Sequence, residues 1–145
     1  MVDQYENARN LMAGHQVSKA PKAYALLEIA MKKGDHRAAY AIGTWYLHGF
    51  YLKKDVKRGV SLIAKAADNE VADAAFDLAV CYELGTGKKA NDNKALCYYM
   101  RSFLLGYSAA AIEIERLLYW GDTSVRNRSL SREFKDAYLR QVNCE

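Results

Sequence analysis

The sequence predicts an all-α fold in which helix pairs stack in series as a right-handed α/α solenoid. The first observation is a repeat, because similar segments begin 36 residues apart, at Ala38, Ala74 and Ala110. The second is that each segment ends at a glycine in the same register, at Gly49, Gly85 and Gly121. The third is that apolar residues recur three and four apart, which is typical of helices and not of strands. Units of this kind cannot bury their apolar faces alone, so they stack.

The pattern divides the chain into eight helices. We expect them at residues 3–13, 21–33, 36–48, 56–68, 72–84, 92–105, 108–120 and 131–142. Asp55 and Asn91 precede the second helix of two successive units, where a side-chain oxygen can accept from first-turn amides. The three register glycines are expected to end the first helices in the left-handed conformation. Gly34 and Gly106 close second helices, and Glu70 holds the equivalent position, so the helix before it is expected to end in another way.

Length and composition fit a single domain. The chain has 145 residues, 51% of them hydrophobic, one proline and a formal net charge of +4. The acidic residues are numerous and interspersed, so this mild excess of positive charge does not demand a nucleic-acid partner. The polar N-terminus does not resemble a signal peptide, and no apolar run of about 18 residues predicts a membrane span, so we expect a cytoplasmic protein.

The repeated residues resemble the Sel-1-like repeat, a relative of the tetratricopeptide repeat. One unit carries the signature at Ala39, Ile42, Gly43, Tyr46, Gly49, Asp55, Lys65, Ala66 and Ala67. The next carries it at Ala75, Leu78, Ala79, Tyr82, Gly85, Lys94, Ala95, Tyr98 and Tyr99. The period is two residues longer than the tetratricopeptide period of about 34. Three positions depart from the pattern, since Gly59 replaces an alanine, Glu115 a small residue and Glu70 a glycine.

The resemblance implies about three to four helix-pair repeats with atypical terminal caps. We expect one domain over residues 1–145, with an N-terminal cap helix in 1–20, repeats in 21–121 and a C-terminal cap helix in 122–145. The small residues of the signature, Gly43 among them, let the two helices of a unit approach closely. The tyrosines at Tyr46 and Tyr82 then fill space between neighbouring units.

No catalytic or metal-binding constellation emerges from the sequence. His15, His36 and His48 have no partner at ligand spacing and are interpreted as solvent-facing. The segment 85–89 resembles a phosphate loop only superficially, because it follows a helix and lacks the full motif. Cysteine-stapled members exist in the family, but without an export signal we expect Cys81 and Cys97 to be free thiols, buried as small hydrophobic residues, and Cys144 to be exposed. The prediction is a protein that is not an enzyme and takes no cofactor or metal.

The resemblance also predicts where a partner binds. In such solenoids the first helix of each pair lines the concave side, and positions flanking the Leu-Gly pair of the repeat face the groove. In this chain the predicted groove residues are Arg37, Tyr40, Thr44, His48, Asp73, Asp77, Val80, Glu83, Glu113, Arg116, Tyr119 and Trp120. Acidic side chains dominate the centre of the groove, and aromatic side chains offer the anchors that are enriched at interfaces.

A second charged region lies outside this groove. Basic residues gather in the loops and second helices, at Lys53, Lys54, Lys57, Arg58, Lys88, Lys89 and Lys94. This basic edge is either a solvated surface or a patch for an acidic protein or a nucleic acid.

The sequence therefore favours a non-enzymatic protein–protein interaction module whose partner has a basic contact surface. A narrower hypothesis is a bacterial immunity protein that neutralises a cognate toxin. The alternatives are an adaptor or regulatory scaffold in signalling or secretion, a nucleic-acid binder that uses the basic edge, and, as a class of its own, an enzyme. A membrane partner is not expected.

Overall fold

A computed structural model describes residues 2–122 and 124–142 of the chain. They form α1 (Gln4–Met12), a short 3₁₀ turn (Val17–Lys19), α2 (Ala20–Lys32), α3 (His36–His48), α4 (Val56–Asp68), α5 (Ala72–Leu84), α6 (Asp92–Leu104), α7 (Ala110–Trp120) and α8 (Arg128–Val142). This part of the chain contains no strand. The predicted all-α fold is confirmed, and the expected helix bounds agree to within three residues. Cys144 lies outside the described residues, so its predicted exposure stays a prediction.

The helices stack in chain order. The extensive backbone contacts join consecutive helices, so α1 packs on α2, α3 on α4, α5 on α6 and α7 on α8, and each pair packs on the next. Contacts between chain neighbours alone are what make a solenoid quasi-one-dimensional. The division of the chain into repeats and caps stays a prediction, because α1 and α8 each pack against their neighbour as the inner helices do.

The core runs along the stack as three adjoining clusters. Leu27 and Ile42 lie in the first, Ile63 and Leu78 in the second, and Tyr99 in the third. Tyr82 packs against both the second and the third cluster, as expected of a side chain that fills space between units. The apolar positions read from the repeat are therefore the ones that leave water, and this burial is the main favourable term for the fold.

The predicted helix caps form where the sequence places them. The Asp55 carboxylate accepts from the backbone N–H of Arg58 at 3.0 Å, and the Asn91 amide oxygen accepts from that of Lys94 at the same distance. Each bond satisfies an amide that has no partner inside the helix. Gly49 and Gly85 end α3 and α5 with φ of 69° and 70°, in the left-handed conformation.

Gly121 contradicts the expectation for the third register glycine. Its φ of −62° and ψ of −179° are extended, so α7 does not end in the left-handed conformation. The residue is confined by space instead, because a Cβ atom there would collide with the carbonyl oxygen of Leu117 and with the Val125 side chain. The chain turns here toward α8 and not into another inner unit, which is why the third ending differs.

Glu70 also departs from expectation, because it adopts the left-handed backbone conformation that glycine adopts at the same repeat position. Its φ is 66°, while the equivalent Gly34 and Gly106 have φ of 88° and 102°. A side chain in this region is strained by contact between Cβ and the backbone. The helix before it was expected to end differently, and that expectation is wrong.

Replacing Glu70 with glycine should therefore stabilise the protein. We expect Glu70→Gly to raise the free energy of unfolding by roughly 0.5–1 kcal/mol, since relief of the strain exceeds the added freedom of the unfolded chain. Chemical denaturation with an unchanged m-value would measure it. Glu70→Ala is the control, because it removes the carboxylate but keeps Cβ and should give no gain. An equal gain from both variants would assign the effect to charge and not to backbone strain.

The helices α3 and α4 approach each other closely where Gly43 faces Gly59. A Cβ on Gly59 would lie 2.7 Å from the carbonyl oxygen of Gly43 and 2.8 Å from the backbone nitrogen of Leu47. In the next unit the same two positions are the buried alanines Ala79 and Ala95. The first of these units thus uses a glycine pair where the second uses an alanine pair.

Candidate partner-binding face

The first helix of every pair contributes to one continuous surface. The Arg37 guanidinium of α3 contacts Asp3, just before α1, at 3.0 Å, and the Tyr40 hydroxyl of α3 donates to the Asp77 carboxylate of α5 at 2.9 Å. We call the surface formed by α1, α3, α5 and α7 the first-helix face. All twelve predicted groove residues belong to α3, α5 or α7. The structure therefore brings them onto one row of helices, and their contact with a partner stays a prediction.

Arg37 is engaged at the N-terminal end of this face. Its guanidinium also contacts Asp35 at 2.7 Å and Glu6 at 3.5 Å, and it lies 4.4 Å from the ring centre of Tyr5. The hydrogen bond from Arg37 is the main reason that the pKa of Asp35 lies below its ordinary value. Arg37 thus ties α1 to α3, and its charge is balanced within the chain.

Glu83 is engaged at the other end of the face. Both of its carboxylate oxygens accept from one nitrogen of the Arg116 guanidinium, at 2.6 and 2.8 Å, and Arg116 also contacts Glu113 at 2.8 Å. The Tyr99 hydroxyl of α6 donates to Glu83 at 3.0 Å, and Tyr99 is only 1% exposed. Glu83 therefore accepts the hydrogen bond of a buried hydroxyl and links α5 to α6 and α7. The sequence pattern did not predict this structural role.

Asp73 and Asp77 differ from these acids, because no ion pair reaches either of them among the described residues. They lie one turn apart on α5, Asp73 exposed and Asp77 half-buried. Burial is the main cause that raises the pKa of Asp77 above its ordinary value. The hydrogen bond from Tyr40 and the charge of His48 oppose the shift, while the nearby Asp73 raises the pKa further. Of the four acids predicted for the groove, these two form no ion pair among the described residues, although the charge of His48 acts on Asp77.

A cavity of about 320 Å³ opens between α3 and α5, and we call it the α3–α5 cavity. Its lining residues are Leu47, His48, Lys54, Val56, Asp77, Val80, Cys81, Leu84 and Thr86. Burial raises the pKa of the Cys81 thiol, so this sulfur stays protonated and packs as a small apolar group. Most of these residues were not predicted from the sequence. The repeat register indicates Leu84, because it holds the same repeat position as the predicted residues His48 and Trp120.

The comparisons with known proteins agree with this architecture. The family model for the Sel1 repeat matches residues 36–71 and 72–107. The chain is a Sel1-repeat protein. Comparison of the sequence with curated proteins gives no match.

Solved structures with the same fold come from several bacteria. A Sel1 repeat protein from Oxalobacter formigenes is 27% identical, with a TM-score of 0.71 over 81% of this chain and 47% of that one. A protective antigen of uropathogenic Escherichia coli with an SLR fold is 21% identical, with a TM-score of 0.79 over 95% of this chain and 30% of that one. Helicobacter pylori cysteine rich protein B is 22% identical, with a TM-score of 0.61 over 64% of this chain and 70% of that one.

This Sel1-repeat chain spans about half the length of the first of these structures and under a third of the second. The last two likenesses concern the fold alone. Sel1-repeat proteins are protein-interaction scaffolds, and their solenoid fold is typically non-catalytic. No helix in the described part of the chain has the length and apolar character needed to cross a membrane.

The end of α7 presents an aromatic pair on the first-helix face of this Sel1-repeat protein. The rings of Tyr119 and Trp120 lie 4.6 Å apart, and Trp120 is 70% exposed. The Arg128 guanidinium lies 5.0 Å from the centre of the Tyr119 ring. Exposed tryptophan and tyrosine side chains are common hot spots of interfaces. Elsewhere on the face Val80 is half-buried, and the Thr44 hydroxyl, also half-buried, donates to the Ala41 carbonyl oxygen at 2.7 Å.

The basic edge is partly tied to tyrosines of the repeat. Arg58 lies 4.5 Å from the ring centre of Tyr46, while Lys88 and Lys94 lie 5.5 and 5.3 Å from that of Tyr82. These cations are held by the aromatic residues that define the unit. The remaining lysines of the edge are exposed.

The cysteines and histidines are dispersed. Cys81 is a buried free thiol, as expected, whereas Cys97 is an exposed free thiol, so the expectation that it is buried is wrong. His15 and His48 are exposed, but His36 is half-buried, so the expectation of solvent exposure is only partly met for it. Within residues 2–122 and 124–142 no three side chains of metal-binding type come together.

Proposed function

We propose that the protein is a non-enzymatic interaction module that binds a protein partner with a basic contact surface on the first-helix face. The observation that carries this proposal is the pair Asp73 and Asp77, two carboxylates on α5 that form no ion pair among the described residues, with His48 as the one cationic group whose charge acts on Asp77. The neighbouring acids Glu83 and Glu113 share the single guanidinium of Arg116. The middle of the face is thus acidic, although the whole chain is basic.

The separation of the acidic first-helix face from the basic edge favours one orientation of a partner on the protein. The basic edge lies in the loops and second helices, while the uncompensated acids lie on the first helices. A partner with a basic patch is attracted to one face and repelled by the other, which speeds association and filters competitors. The exposed Trp120 and Tyr119 at the end of α7 then offer apolar contact area beside the acidic centre.

The proposal is tested by capturing partners from the source cell with three forms of the protein. The groove variant Asp73→Asn/Asp77→Asn removes the two unpaired charges without adding bulk. The control variant Glu70→Gln/Asp136→Asn makes the same change of net charge at exposed positions outside the face. We expect one protein to be retained by the unmodified form and by the control variant, and to be lost or weakened about tenfold or more with the groove variant.

The outcomes separate the candidate functions. Equal retention by all three forms would place the contact elsewhere and overturn the proposed face. Capture of nucleic acid in a salt-dependent manner would overturn the protein-binding proposal in favour of the basic edge. If a protein is retained as expected, its identity distinguishes the narrower roles, since a toxin would make the chain an immunity protein and a signalling or secretion component would make it an adaptor.

The proposal keeps the predicted organisation of the chain. Residues 21–121 supply the repeats, and the helices in 1–20 and 122–145 act as end caps of a single domain. A cytoplasmic location remains a prediction, and the free thiols of Cys81 and Cys97 support it because thiols persist in reducing compartments.

A further inference from the structure

The α3–α5 cavity has the chemistry of a receptor for one side chain of a partner. Leu47, Val80 and Leu84 give it apolar walls, and Asp77 is the only carboxylate among its lining residues. Its volume of about 320 Å³ exceeds what a single long side chain needs. His48, Asp77 and Val80 line the cavity and also belong to the first-helix face, so a segment lying on that face can place a side chain in it.

One oxygen of Asp77 is available to such a ligand. The Oδ2 atom accepts from the Tyr40 hydroxyl at 2.9 Å, and among the described residues no hydrogen bond or ion pair reaches Oδ1. No fully buried side-chain oxygen in this part of the chain lacks a partner, so Oδ1 is within reach of water. His48 and Lys54 line the same cavity, and neither forms an ion pair with Asp77, although the charge of His48 lowers the pKa of Asp77. The carboxylate is therefore held in place by Tyr40 with one acceptor facing outward.

We propose that the α3–α5 cavity binds a lysine side chain of the protein partner, with the methylene groups against the apolar walls and the ammonium group on Oδ1 of Asp77. This inference rests on the proposed function of the first-helix face. Lysine buries an apolar stem and presents a compact charge, which matches the apolar walls and the single carboxylate of a cavity whose other polar lining residues are His48, Lys54 and Thr86. Arginine fits less well, because its planar fork binds best to both oxygens of a carboxylate and one of them is already occupied by Tyr40.

Other occupants fit the cavity less well. An acidic side chain would meet the carboxylates of Asp73 and Asp77. A purely apolar side chain would cover Asp77 and leave its charge buried without a partner, which is unfavourable. The acidic middle of the first-helix face supplies the complementary field for a cation. Lys54 also lines the cavity, but it is an exposed residue, so water screens its charge.

The stability of the protein supplies an independent readout. Burial raises the pKa of Asp77 above its value in the unfolded chain, with repulsion from Asp73 adding to the effect. The folded state therefore holds the proton more tightly than the unfolded state, and stability falls as the pH rises through the folded pKa. At neutral pH the ionised carboxylate lowers stability, so Asp77→Asn should leave the free energy of unfolding unchanged or raise it. The asparagine oxygen can still accept from Tyr40.

The test uses the isotope-labelled full chain and four capped tripeptides, in which lysine, arginine, norleucine or Nε-acetyl-lysine stands between two alanines. We expect the lysine peptide to shift the backbone amide signals of Val80, Leu84 and Thr86 in a saturable manner. Norleucine and Nε-acetyl-lysine keep the stem but lack the charge, and they should bind about tenfold more weakly. Asp77→Asn should weaken lysine binding by a similar factor, whereas Asp136→Asn, an exposed acid on α8, should leave it unchanged. Leu84→Ser removes part of an exposed wall and should weaken binding a few-fold.

Each result bears on the inference. Equal binding of norleucine and lysine would overturn the role of Asp77, and tighter binding of arginine would overturn the lysine assignment. Absence of shifts with every peptide, in a protein whose spectrum shows it folded, would overturn the receptor itself. A clear loss of stability in Asp77→Asn would make Asp77 a structural residue and would equally contradict the inference. If the capture experiment succeeds while the peptides fail, the face binds a partner by other contacts; if the peptides bind and capture fails, the receptor stands without the proposed partner class.

Discussion

Gly59→Ala should destabilise the protein by roughly 1–3 kcal/mol, although it introduces the better helix former. The new methyl group would lie 2.7 Å from the Gly43 carbonyl oxygen and 2.8 Å from the Leu47 backbone nitrogen. Both neighbours are backbone atoms of α3, so a rotamer change cannot relieve the contact and the helices must move apart. That movement disturbs packing along the whole interface between α3 and α4.

The predicted loss of stability tests the close helix contact, because helix propensity alone predicts a gain. The family pattern favours alanine at this position, and helix propensity alone would stabilise α4 by about 1 kcal/mol. Ser61→Ala is the matched control, because Ser61 is exposed on the same helix and its replacement should change stability by less than about 0.5 kcal/mol. Urea denaturation of both variants would decide the matter, and a stabilised Gly59→Ala would show that the two helices can separate at no cost.

Glu83→Ala should cost about 1–3 kcal/mol of unfolding free energy, because it leaves the buried Tyr99 hydroxyl without an acceptor. Tyr99 is 1% exposed, and its hydroxyl donates to Glu83 at 3.0 Å. The same change releases Arg116, whose guanidinium then keeps only Glu113. The loss of the exposed part of this network adds little, since exposed ion pairs contribute about 0–1 kcal/mol.

A double-mutant cycle would assign the cost to the buried hydroxyl. In a Tyr99→Phe background no hydroxyl is left unsatisfied, so Glu83→Ala should cost clearly less than it does in the unmodified protein. Glu113→Ala is the control on the same face, and it should change stability by no more than about 0.5 kcal/mol because Arg116 retains Glu83. Equal costs of Glu83→Ala in both backgrounds would show that the hydroxyl is satisfied in another way.

These two predictions depend on contacts that the sequence pattern does not predict. From the sequence, the acids of α5 and α7 differ neither in charge nor in their expected position on the groove. Asp77 and Glu83 are therefore predicted to have the same role. The structure divides them, because Glu83 lies over a buried hydroxyl and beside a guanidinium, while Asp77 has a tyrosine on one oxygen and an open cavity on the other. Partners from helices 16 to 37 residues away decide which carboxylate is available, and such pairings are not encoded by the period of the repeat.

The sequence alone determined the architecture, since the 36-residue period, the apolar spacing and the caps at Asp55 and Asn91 act within one unit or between adjacent units. Local rules also placed the twelve candidate residues on one row of helices.

The tertiary structure alone decided the glycine contact between α3 and α4, because it depends on the distance between two helix backbones that are separate in sequence. Glu70 shares its left-handed conformation with Gly34 and Gly106, so the geometry of the repeat prevails there over the preference of the residue. Gly121 is extended because the chain leaves the repeat there, with Leu117 and Val125 closing the space around it. The tertiary structure also decided where the α3–α5 cavity opens, since a cavity is the space that side chains from different helices leave between them.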